Sequence, residues 1–194
     1  MKTIITVIFF GILTYTVAQK PAASSGCKNT LPAKQDLKIQ DFFKGNWYVT
    51  HIKDGSNEAA CREYKTNMDK GLIQLSADGD YTFKGEKKHY TTTCSSVSGN
   101  PLNPAGPFVL KCRHNHALGK EQNNIFFQLD LSVVETDYNN YALVYRCTTY
   151  DKSLIPIYGN LLLLHRNKNG DGSKAATALS KNSLTLSQFK KTGC

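Results

Sequence analysis

A glycine two residues before the lone tryptophan, within Asp41-Phe-Phe-Lys-Gly-Asn-Trp-Tyr-Val-Thr50, constrains this chain more than any other segment. Gly45 permits a tight turn, and the alternating run that opens at Trp47 reads as a first β-strand. The indole would then plug one end of a closed barrel that holds a pocket. Thr136-Asp137-Tyr138 and Arg166 echo that signal downstream.

Short runs rich in β-branched and aromatic residues follow at regular spacing: Trp47 to Ile52, Arg62 to Asn67, Leu72 to Ser76, Tyr81 to Phe83, His89 to Ser95, Phe108 to His114, Ile125 to Thr136, Tyr141 to Thr149 and Tyr158 to Arg166. Ala77-Asp-Gly-Asp80 predicts a hairpin turn between the third and fourth. The pattern predicts an all-β fold, an up-and-down barrel or a sandwich. Helical signals are confined to the end. Ser173 to Lys181 follows Asn169-Gly-Asp-Gly172, with Ser173 as the expected cap, and Leu184 to Lys191 places apolar residues at 184, 186 and 189. This helical segment is expected to pack outside the barrel. The run Leu161 to Leu164 is apolar on both faces, which suits a strand between the lumen and such a helix.

Residues 1–18 carry one charge, Lys2, then the apolar run Ile4 to Leu13 and the small-residue site Thr16-Val17-Ala18. That is the pattern of a signal peptide, and the run is too short to span a membrane. Residues 19–194 then form one domain of a secreted, extracellular protein, with Lys20 to Gln40 as a polar strap. All six cysteines, at 27, 61, 94, 112, 147 and 194, lie in this mature part. An even count in a secreted chain predicts disulfides, while the residues leave the pairing open. Cys94 and Cys112 flank a turn-rich stretch and suit a hairpin bridge; Cys27 and Cys194 suit tethers for the two termini.

The formal net charge is +9, with lysines clustered at 84, 87 and 88 and again at 181, 190 and 191. Such clusters read as solvated faces or as a patch for an acidic protein, a sulfated glycan or an anionic membrane. Secretion and the lack of a nucleic-acid motif argue against DNA or RNA. No Gly-x-Ser-x-Gly elbow occurs, and bridged cysteines leave no thiol nucleophile, so no enzyme is expected. His114-Asn-His116 would share a strand face, but no further ligand follows at metal-binding spacing. Neither a metal nor a cofactor is expected.

Gly45-Asn46-Trp47, Thr136-Asp137-Tyr138 and Arg166 resemble the three short motifs of lipocalins, in the same order. The resemblance implies an eight-stranded antiparallel up-and-down barrel closed at one end by Gly45, Trp47 and Arg166, the guanidinium stacking on the indole. The initial Met-Lys-Thr-Ile-Ile, the Phe-Phe-x-Gly-x-Trp-Tyr-Val-Thr run, Cys61-Arg-Glu-Tyr-Lys-Thr66 and Thr136-Asp-Tyr-x-Asn-Tyr-Ala-Leu143 further resemble triatomine (kissing-bug) salivary lipocalins of the pallidipin and triabin group. That likeness covers essentially the whole chain. It implies disulfides Cys27–Cys147, Cys61–Cys194 and Cys94–Cys112, and a role against host haemostasis. Members of the group are similar in fold and divergent in target: eicosanoids, biogenic amines, ADP, a coagulation protease or contact-phase proteins. The related nitrophorins hold haem through a histidine on an early strand. None lies between Arg62 and Glu86, so haem carriage is not expected.

Strand parity nominates the ligand-binding residues. Trp47, Val49 and His51 share a face, so His51 reaches the lumen if Trp47 does, unless a bulge turns it outward. If Cys147 is bridged on the exterior, Arg146 points the other way with Ala142, Val144 and Thr148, unless a twist or bulge leaves it on the surface. A lumenal arginine needs an anionic ligand or a carboxylate partner. The favoured expectation is a monomer that captures a small host mediator and so inhibits platelet aggregation, most of all an eicosanoid such as thromboxane A2. Val49 and Val144 would line its apolar chain, and His51 and Arg146 would hold its carboxylate. A biogenic amine suits a basic chain less well, and ADP is a third candidate. The alternative is an inhibitor of coagulation or of the contact-phase (kallikrein-kinin) system that meets a host plasma protein through its basic surface.

Overall fold

A computed structural model describes residues 29–54, 59–83, 86–98, 102–118, 121–150 and 158–193. The expected signal peptide at residues 1–18 lies outside them. A single helical turn, α1 (Ile39–Phe42), leads into β1 (Gly45–Lys53), β2 (Ala59–Asp69), β3 (Leu72–Phe83), β4 (Glu86–Ser96), β5 (Phe108–Leu118), β6 (Glu121–Thr136), β7 (Tyr141–Tyr150) and β8 (Tyr158–His165). Each strand pairs antiparallel with its neighbour in the chain, and β1 bonds to both β8 and β2, which closes the barrel. A 3-10 turn (Ser173–Ala175), helix α2 (Ala176–Lys181), a second 3-10 turn (Leu186–Gln188) and the short strand β9 (Lys190–Lys191) complete the chain. The eight-stranded barrel with an outer helical segment is therefore the observed architecture.

Three local expectations change. No hairpin forms at Ala77 to Asp80, because β3 runs through it with Asp78 opposite Thr91 and Gly79 opposite Tyr90. Pairing on both edges of β3 overrides the turn chemistry; the preceding β2–β3 turn is made by Lys70 and Gly71, which have φ of 48° and 78°. Two predicted strands thereby become one. Ser173 does not cap the last helix; Asp171 Oδ1 accepts both its N–H and its Oγ–H, at 2.9 and 2.7 Å. Leu184 to Lys191 forms no α-helix, because a capping box between Thr185 and Gln188 closes only a 3-10 turn and Phe189 is already extended.

The apolar residues form two layers separated by the barrel wall. Trp47, Val49, Ile73, Leu75, Phe108, Leu110, Leu131, Val144, Leu162 and Leu164 pack in the lumen, with Phe42 and Phe43 below them. On the outer face of β6, β7 and β8, Val134, Leu143, Leu161 and Leu163 meet Ala175 and Leu179 of the terminal helical segment and Phe189. The alternation in Leu161 to Leu164 serves both layers, as its sequence implies. The strap crosses the exterior, where Lys34 N–H donates to Val133 O at 2.8 Å, and Leu37 then joins the lumen cluster at the closed end.

One edge of β1 is divided between two partners. Gly45 to Val49 pair with β2, whereas His51 and Ile52 pair with Lys191 and Lys190 of β9. Thr192 N–H donates to Thr50 O at 2.8 Å, and its hydroxyl donates to Val49 O. The C-terminal segment thus completes the wall where β2 has left it.

Candidate functional site

Gly45, Trp47 and Arg166 close one end of the barrel. Trp47 is 1% exposed and its Nε1–H donates to Phe42 O at 2.9 Å, fixing the indole over α1. The Arg166 guanidinium lies 3.6 Å from the indole centroid and donates to the carbonyls of Lys44 at 2.6 Å, Asn46 at 3.0 Å and Tyr138 at 2.9 Å. A cation on a π-face is attracted by its quadrupole, and here the same cation satisfies carbonyls where the chain enters β1. Gly45 supplies the positive φ, 75°, that this turn needs. Asp137 braces the adjoining β6–β7 turn by accepting the N–H groups of Asn140 and Tyr141 at 2.8 and 3.0 Å. Burial raises its carboxyl, yet these bonds outweigh burial and hold it below the usual range.

A polar layer spans the lumen above this floor. Arg146 shares the inward face of β7 with Ala142 and Val144, as parity requires. Its Nε–H donates to Asn160 Oδ1 at 2.7 Å and its Nη1 to Tyr64 Oη at 3.3 Å, so it bridges β7, β8 and β2. Arg62 lies beside the same phenol and acts on it with its charge. Burial pushes the Tyr64 phenol up, but the charges of Arg146 and Arg62 outweigh it and hold the group below its ordinary value. Tyr64 is 5% and Asn160 7% exposed, while Arg146 and Arg62 as whole residues are half-buried. Among the described side chains no carboxylate shares this lumenal face. Two guanidiniums meet over one phenol on the inward face of the barrel, donors that could serve an anion.

Tyr64, Arg62 and Asn160 were not nominated by sequence. The signal was parity: Arg62, Tyr64, Thr66 and Met68 alternate with the outward Glu63, Lys65 and Asn67, and Asn160 lies in phase with Leu162 and Leu164. Val49 and Val144, each 0% exposed, do lie in the lumen cluster.

His51 does not reach the lumen. The β1–β8 register shifts between Val49 and His51, so Thr50 and His51 both turn outward and Ile52 takes the next lumenal position. Under the C-terminal segment, Thr50 Oγ1 meets His165 Nδ1 at 2.6 Å and His51 Nδ1 at 3.0 Å. The two imidazole centroids are 6.2 Å apart. The loop above them is tight, since a Cβ on Gly170 would lie 2.3 Å from His165 Cγ. His51 therefore packs on the outer side of the wall, away from the lumen.

Cys94 and Cys112 face one another across β4 and β5 and form the expected disulfide, with S–S 2.00 Å. Both lie in the lumen cluster. Cys147 is disulfide-bonded and faces away from the lumen, next to the inward Arg146. Its expected partner Cys27, and the expected Cys61–Cys194 bridge, fall outside the described residues and side chains, as do His114, His116 and the lysines at 84, 87 and 88.

The Triabin family model matches residues 18–179. This chain belongs to the Triabin family. Within it, this Triabin-family barrel is 38% identical to Triafestin-2 of Triatoma infestans, over 86% of this chain and 79% of that protein. It is 30% identical to Triabin of Meccus pallidipennis, over 87% and 94% respectively. The triatomine salivary lipocalin group expected from the motifs is thus the one into which the chain falls. A crystallised leukotriene C4 complex superposes with a TM-score of 0.59 at 28% identity, covering 88% of this chain and 96% of that one. The tryptamine complex of the amine-binding protein of Rhodnius prolixus superposes at 0.65 with 22% identity, covering 86% of each chain, and shows the shared fold. Among the described residues no helix is long and apolar enough to cross a membrane.

Proposed function

We propose that this Triabin-family protein is a secreted, non-enzymatic trap for an anionic lipid mediator of the host, an eicosanoid such as thromboxane A2, and that its removal inhibits platelet aggregation. The observation that carries this reading is the convergence of Arg146 and Arg62 on Tyr64 inside an apolar lumen. A carboxylate placed there gains charge-assisted hydrogen bonds from donors already held by Asn160 and Tyr64, so little ordering is required on binding. Val49 and Val144 belong to the apolar wall around it. The cationic lining disfavours an amine, which would need a lumenal carboxylate. The leukotriene C4 complex among the structural relatives supports the same class of ligand.

Isothermal titration of the refolded, disulfide-intact protein with a stable thromboxane analogue tests this, with ADP and serotonin as comparison ligands. One-to-one binding of the analogue is expected, weakened about ten- to a hundredfold in Arg146→Gln, the loss of one charge-assisted contact. Binding of none of the three would sink the reading and direct attention to plasma proteins.

A further inference from the structure

The polar layer also fixes which way round an amphiphile must lie. Below it, toward the closed end, the lumen is filled: Trp47, Phe42, Phe43, Phe108, Ile73 and Leu110 are all under 2% exposed. Phe43 packs edge-on against Phe108 at 5.1 Å, and Phe42 lies 5.4 Å from Trp47. No acyl chain enters that volume without displacing close-packed side chains, which is costly in an interior of this density. Arg146 and Arg62 are each half-buried as whole residues while those on their closed-end side are buried, which leaves the mouth side as the approach to the pair. Thr148, the next inward position of β7 toward the mouth, is likewise half-buried.

Resting on the anion-trap reading, we infer that the ligand binds head-first: its carboxylate goes down to Arg146, Arg62 and Tyr64, and its apolar chain points up toward the mouth. This is a specificity rule as well as a pose. The site selects for a free acid at one end and leaves the distal end of the chain unselected, so amphiphilic acids differing in length or in the group at the far end are accepted together. An ester or amide at the head is rejected, because it cannot offer the two guanidiniums a charge and must still be desolvated between them.

Three ligands test the orientation on the intact, disulfide-bonded protein, followed by direct titration. One is an unlabelled long-chain fatty acid, the second carries a bulky fluorophore at its terminal carbon, and the third carries the same fluorophore joined through the carboxyl as an amide. The first two are expected to bind within a few-fold of each other, and the third about ten- to a hundredfold more weakly. Arg146→Gln and Tyr64→Phe should narrow that gap by weakening the free acids while leaving the amide unchanged. If the unlabelled acid and the amide bind while the tail-labelled acid does not, the orientation is reversed and the inference falls, although the trap reading survives. If the unlabelled acid and a stable thromboxane analogue both fail to bind, the trap reading itself has failed.

Discussion

Acidification should loosen the C-terminal cover through the His51–His165 pair. His165 is 4% exposed. Burial, and after it the charge of His51, depresses its imidazole from 6.5 to about 4, while Asp171 and Asp137 pull the other way. Burial and Lys191 also hold His51 below its ordinary value, opposed by Asp171. His165 Nε2 is buried without a hydrogen-bond partner, so a proton placed there would have no acceptor. The sign follows directly. The unfolded chain takes up these protons as pH falls through 6.5, whereas folded His165 resists until about 4. The stabilisation is therefore complete above the first value and lost on the way down to the second. An interval of about 2.5 pH units at about 1.4 kcal/mol per unit gives at most about 3.5 kcal/mol for His165, of which about 3 falls between about pH 7 and about pH 4. Urea unfolding of the native protein and of His165→Gln, followed by the emission of Trp47, would be measured from about pH 7 down to about pH 4. Carboxylates titrate in both proteins, so the difference between the two curves isolates the imidazole. The native protein should lose about 3 kcal/mol more than the variant across this range. Parallel curves would refute the reasoning.

Arg166→Lys keeps a positive charge but loses the planar fork shared among five carbonyls and the indole face. It should cost about 2–4 kcal/mol in denaturant unfolding and shift the Trp47 emission, whereas an unchanged midpoint would mean that water replaces the fork. Leu163→Ala opens a cavity between the wall and the terminal helical segment, for a loss of about 2–5 kcal/mol. Because Leu163 faces away from the lumen, affinity for a bound acid should hold while stability falls. Gly170→Ala forces its loop off His165, and faster amide exchange at residues 190–192 is the expected readout.

The barrel itself was legible in the sequence because its determinants are local and periodic. Gly45, Trp47 and Arg166 announced the closed end, and inward parity on β7 located Arg146. What parity could not supply was its own interruption. The bulge at Thr50 arises where β1 must satisfy β8 on one edge and exchange β2 for β9 on the other, and no residue type marks that exchange. The same limit produced the false hairpin at Ala77 to Asp80, where strand pairing on both sides outweighs local turn preference. Tyr64, Arg62 and Asn160 went unnoticed for a different reason. Each is ordinary within its own strand, and only closure of the barrel brings β2, β7 and β8 around one point.

The divided edge of β1 has a consequence for the order of events during synthesis. The strand made first finds its partners in β2, which follows at once, and in β8 and β9, which emerge last. Until β9 and Thr192 are in place, the second half of β1 is paired with β8 on one side only, and its other edge is a sticky margin. Closure joins β1 to β8, strands far apart in sequence, and is slow because of the long loop between them. A chain lacking β9 is expected to keep the β1–β8 seam but to expose that margin, and so to associate through it.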